Sequence, residues 1–354
     1  MTSVATTLPD PDGQPADMTK PVQVFIMMGQ SNMLGFGRVN GGTEGYLDYA
    51  VQTKGKYGYL ADDTGAWTTR MDVRYTRVMG SGTGASRLFN NEWLSVEGDN
   101  RIGPEFGIGH HLGEALDAPV LLLKSAIGNR SLGWDLLPPG SPQYQYNDNG
   151  TDYTYAGYGE SPLRWETGTT PQPIGWQAGL QYDGDVARAK QVLADIGTYY
   201  PGATSYEVAG FFWWQGDKDR YNAAHAEKYE ENLVRLIEQL RVEFDAPDAK
   251  FVAATLGQSE IGVETGNARK ILDAQLAVDG DAGNYPQFAG NVATVYSHPL
   301  SQGGSSAGHY GGNAETYMNV GEAMGQEMAA LIPEPTSLTL LALGGLALAR
   351  RRRA

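Results

Sequence analysis

The chain of 354 residues contains no cysteine. Disulfide bridges, thiolate metal sites and cysteine nucleophiles are thereby excluded. Positive charge is also short, since 26 Lys and Arg face 41 Asp and Glu, a formal net charge of −15. A surface of that sign repels polyanions, which disfavours nucleic acid and anionic lipid as partners. The apolar run Val24–Met28 ends in Gly29-Gln30-Ser31-Asn32, yet no Lys follows to complete G-x-x-x-x-G-K-[ST]. The same turn lacks the second glycine of G-x-G-x-x-G, so both phosphate-cradling patterns fail there. A metal site is lacking too. His110, His111 and Glu114 share a helical segment, but adjacent helical positions point about 100° apart and cannot face one ion, so no metal is assigned.

Residues 1–20 are polar, rich in Pro and Asp, and without an apolar run. They read as a disordered lead-in without the layout of a secretory signal. From there to residue 332 apolar runs alternate with helical periodicity. Strands are expected at 22–29, 118–126, 206–216, 249–257 and 290–298, and helices at 104–117, 178–197, 225–244, 267–279 and 313–332. Five apolar strands separated by helices imply parallel crossovers and a sheet covered on both faces, an open α/β sandwich of three layers. The stretch 38–103 has weak periodicity and reads as a long insertion; 134–175 is polar and rich in Tyr and Gly. Gly (47), Tyr (20) and Trp (7) are plentiful, as in the aromatic loops that line carbohydrate sites. Residues 333–354 form a separate tail: Pro333-Glu334-Pro335, an apolar segment Leu338–Ala349, then Arg350–Arg353. That segment is shorter than the roughly 20 residues of a membrane span.

In an open α/β sheet the site lies at the carboxyl ends of the strands. The polar groups fall there. Strand one is followed by Gln30, Ser31 and Asn32, strand two by Gly128, Asn129, Arg130 and Trp134, strand three by Gln215, Asp217 and Asp219, and strand five by His298 and His309. A serine at a strand-to-helix turn presents its hydroxyl beside the N–H groups of a helix start, and His309 supplies a base. Met33 occupies the second glycine position of the G-x-S-x-G elbow, so that motif is absent. Trp134 reads as a sugar platform, Arg130 as a partner for an acidic sugar and His298 as a group within reach of the site. Trp213 and Trp214 alternate in a strand, which turns one of them to the core.

The stretches MMGQSNMLG, IGPEFGIGHHLGEAL, KSAIGNRSLGWDL, WWQGDKDRY and GHYGGNAETYMNVGEAMG resemble the sialate O-acetylesterase-like branch of the SGNH (GDSL-type) hydrolases, which includes carbohydrate esterase family six. The resemblance spans residues 21–332. It implies a flavodoxin-like fold with a mainly parallel five-stranded sheet, long loop insertions and hydrolysis of O-acetyl esters on carbohydrate without a cofactor. It makes Ser31 the nucleophile and His309 the base. The oxyanion donors are then the backbone N–H groups of Ser31 and Gly128 with the side chain of Gln215. Gln30, Asn129, Arg130, Trp134 and His298 are expected around the substrate. Many relatives carry an acid three residues before the histidine, where this chain has Ser306. Asp217 is therefore the expected acid and Asp219 the second choice. The missing acid also admits a carbohydrate-binding protein with a degraded triad, and the wider group admits a lipase or thioesterase. The tail resembles the PEP-CTERM sorting signal of bacteria, which implies export machinery as a partner and a place at the cell envelope or surface.

Overall fold

The structure is a computed structural model that describes residues 15–332. The tail at 333–354 and most of the lead-in lie outside the described residues. Of the lead-in, residues 15–20 form a turn in which the Asp17 N–H donates to the Asp117 carbonyl (3.0 Å), rather than a disordered segment.

The first half of the chain runs β1 (Val22–Gly29), the one-turn α1 (Ser31–Leu34), β2 (Gly37–Arg38), α2 (Leu47–Gln52), β3 (Thr69–Met79), β4 (Arg87–Ser95), β5 (Arg101–Ile102), α3 (Glu105–Ala115) and β6 (Val120–Ser125). The Tyr-rich stretch then forms β7 (Tyr144–Asp148), β8 (Thr151–Tyr155) and β9 (Arg164–Glu166), a small antiparallel sheet of its own. The remainder runs α4 (Leu180–Ala194), α5 (Ile196–Tyr199), β10 (Tyr206–Trp214), α6 (Ala223–Glu243), β11 (Lys250–Ala254), α7 (Gly266–Ala277), β12 (Val292–Val295) and α8 (Ala314–Leu331).

The main sheet has seven strands in the order β12-β11-β10-β1-β6-β3-β4, parallel except for the edge strand β4. The five strands expected from sequence are all present. Numbered in chain order among themselves they stand 2-1-3-4-5, the flavodoxin-like arrangement, with the switch point at β1 between β6 and β10. The insertion at 38–103 adds the two further strands, which corrects the five-stranded expectation.

Side chains of β1 alternate between two cores. Val24, Ile26 and Met28 join Tyr182 and Val186 of α4, Leu233 and Leu236 of α6 and Ile271 of α7. Phe25 and Met27 join Phe106 and Ile108 of α3 and Met318 and Met324 of α8. A strand buried on both sides must be apolar where it is covered, and β1 is so from Val24 to Met28. For the same reason Trp213 and Trp214 are both fully buried, one in each core, where the alternation alone assigned a single one inward. His110 and His111 are buried as well. His110 packs on Tyr59 with ring centroids 4.5 Å apart, and the His111 Nε2 lies 3.3 Å from the Gln326 amide nitrogen.

Candidate active site

The strand β1 ends on Gly29, whose φ of +143° favours glycine. A Cβ there would lie 2.5 Å from the Trp214 carbonyl oxygen, so β10 can approach β1 at this register only past a glycine. The chain then turns into α1 with Ser31 as its first residue, half-buried at the mouth of the switch point. Gln30 points the other way. It is 2% exposed, and its Oε1 accepts from Gln215 Nε2 (3.2 Å) and the Lys218 N–H (3.1 Å). The structure therefore corrects its expected role at the substrate: Gln30 braces the turn from inside. Sequence reasoning gave Asn32 no role, yet it is fully buried with neither amide atom partnered among the described residues. An orphaned amide beside the Ser31 turn is a feature that calls for an explanation, since buried polar groups are ordinarily hydrogen-bonded.

Gly128 follows β6. A Cβ on it would stand 3.6 Å from the Ser31 Cβ, so its backbone faces the serine directly. Asn129 adopts a left-handed conformation (φ 58°) and is exposed at the same mouth. Arg130 leads away. Its Nε donates to Gln181 Oε1 (3.3 Å), its Nη2 to Ser81 Oγ (3.1 Å), and its guanidinium lies 5.0 Å over the Trp176 ring. Trp134 is not a platform. It is 9% exposed and packed with Leu137, Ala156 and Ala178 under the small sheet, because an indole of that area gains more by burial than by solvent contact.

Gln215, directly after β10, is fully buried. Besides Gln30, its Nε2 donates to the Arg130 carbonyl (2.9 Å) and to Asp219 Oδ2 (2.6 Å), while Tyr229 donates to its Oε1 (2.8 Å). Its amide pins three strand-end loops together and has no hydrogen left for an oxyanion, which corrects the expected donor role. Asp219 completes the pin. Its carboxylate accepts from the Leu132 N–H (2.9 Å) and the Gly133 N–H (2.8 Å). Burial pushes its pKa up to about 6 against those bonds. Committed to the loop after β6, it is not the partner of the histidine.

Asp217 is placed differently. Its Oδ1 accepts from Ser306 Oγ (2.6 Å) and from Arg220 Nε (2.8 Å). Ser306 is the residue three before His309, so the position lacking an acid in sequence is hydrogen-bonded to an acid arriving from β10. His309 sits in a strained left-handed turn (φ 52°), and its ring stacks on Phe36 with centroids 4.0 Å apart and planes 10° from parallel. Burial draws its pKa below the usual histidine range and the nearby Arg101 charge adds to this, while Asp217 acts in the opposite sense. The segment Ser306–Gly312 packs against α1, which brings the histidine turn onto the serine turn. His298 is turned elsewhere. Its Nδ1 lies 3.0 Å from the Gly257 carbonyl and its Nε2 3.8 Å from Glu260, so it holds the loop after β11 instead of the site. No group of His, Asp and Glu converges as metal ligands among the described residues.

Three strand ends thus deliver a serine, a glycine backbone facing it, and an aspartate bonded to the histidine loop. Residues 157–330 match the family described as carbohydrate esterase, sialic acid-specific acetylesterase, and residues 331–353 match the PEP-CTERM protein-sorting motif. The first match holds Asp217 and His309, whereas Ser31 and Gly128 precede it. Among solved structures, a protein from Arabidopsis thaliana is similar at 17% identity and TM-score 0.47, over 87% of this chain and 98% of that one. A carbohydrate acetylesterase from Xanthomonas citri is similar at 15% identity and TM-score 0.49, over 86% of this chain and 55% of the other. NanS is similar at 15% identity and TM-score 0.41, over 79% and 78%. No curated protein matches the chain. Residues 157–330 are thus similar to the sialic acid-specific acetylesterase family of carbohydrate esterases, and a PEP-CTERM protein-sorting motif follows at 331–353.

Proposed function

We propose that the protein is a serine esterase that removes O-acetyl groups from carbohydrate, with Ser31 as nucleophile, His309 as general base and Asp217 as the acid that orients it. The observation that carries this reading is the Ser306–Asp217 hydrogen bond, which ties a carboxylate to the histidine loop beside the Ser31 turn. Both Asp217 bonds use Oδ1, and the negative charge of the carboxylate favours the protonated form of the His309 ring. His309 takes the Ser31 proton as Oγ attacks the acetyl carbonyl carbon. The backbone N–H groups of Ser31 and Gly128 receive the oxyanion. The C–O bond to the sugar then breaks, and His309 returns the proton to the leaving sugar oxygen. Water, deprotonated by His309, attacks the acetyl-enzyme, and acetate leaves as Ser31 regains its hydrogen. The depressed His309 pKa suits the role, because the imidazole must be neutral to accept the first proton. The sorting motif supports a place for this activity at the cell envelope or surface.

The deciding assay measures acetate released from p-nitrophenyl acetate and from acetylated polysaccharide by the parent and by Ser31→Ala. Ser31→Ala is expected to lose several powers of ten in rate on both. Equal rates for the two proteins would reject Ser31 as the nucleophile, and no release by the parent from any ester would reject the esterase in favour of a carbohydrate-binding protein.

A further inference from the structure

The small sheet β7–β8–β9 lines an open cavity of about 390 Å³ against the start of α6. Its size is that of a small-molecule site, roughly 300–1,000 Å³. The walls come from three strand ends: the insertion after β6 supplies Tyr146, Asp148, Tyr155 and Arg164, the segment after β10 supplies Tyr221 and Asn222, and Asn267 follows β11. The cavity therefore opens at the same end of the main sheet as Ser31, next to the loop that carries Asp217.

Its chemistry is aromatic and neutral. Tyr146 and Tyr155 meet edge to face with centroids 6.3 Å apart, and Tyr221 is 65% exposed. The Arg220 guanidinium lies 4.5 Å over one face of the Tyr221 ring, so the opposite face is the stacking surface it offers. The charges cancel, because Arg164 Nη1 donates to Asp148 Oδ2 at 2.7 Å and to the Tyr155 hydroxyl at 2.9 Å. The paired charges and the Asn267 amide leave hydrogen-bonding groups without a net field. Two further polar atoms on rings against Tyr155 are buried without a partner among the described residues, the Tyr144 hydroxyl and His225 Nε2. Flat apolar rings interleaved with neutral hydrogen-bonding groups match a pyranose, which has apolar C–H faces and an equatorial rim of hydroxyls.

We propose that this cavity is a subsite for uncharged pyranose units of a polysaccharide backbone, holding the chain while an acetyl group on a neighbouring unit reaches Ser31. The proposal rests on the esterase reading for its purpose but not for its test. Unacetylated hexasaccharides of xylose, glucose and mannose, with a galacturonate hexamer as the acidic control, are titrated into the full-length parent by calorimetry. At least one neutral hexamer is expected to bind more tightly than the galacturonate. Tyr146→Ala and Tyr221→Ala should each weaken that binding by about tenfold, while Tyr146→Phe, which keeps the ring, stays within about threefold. Hydrolysis of p-nitrophenyl acetate by Tyr146→Ala should stay within about twofold of the parent, since that ester has no backbone to hold. Absence of neutral-hexamer binding by the parent, tighter binding of galacturonate, or binding untouched by both alanine variants overturns the subsite. Hexamer binding lost in Tyr146→Ala by a parent that deacetylates nothing would uphold the subsite and reject the esterase.

Discussion

Replacing Asp217 tests the catalytic arrangement at its least expected point. The carboxylate is 8% exposed and lies 2.6 Å from Ser306 Oγ. If it orients His309, Asp217→Ala removes both the alignment of the ring and the countercharge to the imidazolium. A triad stripped of its acid loses about three to four powers of ten in kcat, or about 4–5 kcal/mol of transition-state stabilisation. Ser306→Ala removes a single hydrogen bond to a charged group, worth about 1.5–3 kcal/mol, and Arg220 still holds the carboxylate. Only part of that loss reaches the reaction, so about tenfold in kcat is expected. The 2.6 Å contact also predicts a rescue. A carboxylate built at position 306 reaches into the space Asp217 vacates, so Asp217→Ala with Ser306→Asp should recover at least about tenfold over Asp217→Ala alone. The rates are read from acetate release at saturating ester, with thermal melting to confirm folding. A folded Asp217→Ala within threefold of the parent would refute the assignment, and an absent rescue would refute the geometry drawn for the Ser306 position.

The remaining predictions concern the base, the oxyanion donor and the turn. Because burial draws the His309 pKa below the usual histidine range, kcat/KM should fall on the acid side with a midpoint below that range. Arg101→Gln removes a cation that disfavours the imidazolium and should move that midpoint up, whereas Asp217→Asn should move it down; a pH profile of each variant decides. Gly128→Ala sets a methyl 3.6 Å from the Ser31 Cβ, an ordinary contact that the fold accepts but a reacting acetyl group does not. Its kcat/KM should drop by roughly 10–100-fold with an unchanged melting temperature. Gly29→Ala places a Cβ 2.5 Å from the Trp214 carbonyl oxygen at φ +143°, so urea denaturation should show a loss of about 2–4 kcal/mol.

What the sequence reveals here follows from where each residue's environment comes from. β1 was legible because a strand covered on both faces must be apolar at every position, and Val24–Met28 meets that demand locally. β3 was not legible. Its sequence TRMDVRYTRVM carries three arginines, which reads as an exposed insertion, although the strand pairs with β6 from Val73 to Val78. Arg74 is tolerated there because its Nη2 donates to the Asn91 carbonyl at 2.8 Å and its Nε to the Tyr199 carbonyl at 3.2 Å, contacts 17 and 125 residues away. The same distance in sequence hid the roles at the site. Gln30, Gln215 and Asp219 look like reactive groups because they stand at strand ends, but each turns inward, and their mutual bonds span up to 185 residues. Position along the strand decided which loops meet. Only the packing of those loops decided which side chains face the mouth and which hold it open. Ser306 shows the difference most sharply. Read along the chain it marks an acid that is missing, whereas in the fold it hydrogen-bonds the acid that β10 delivers. An acid held by a second loop is free of the backbone that holds the histidine, so its alignment depends on its bonds to Ser306 and Arg220, and the Ser306 variants measure the first of these directly.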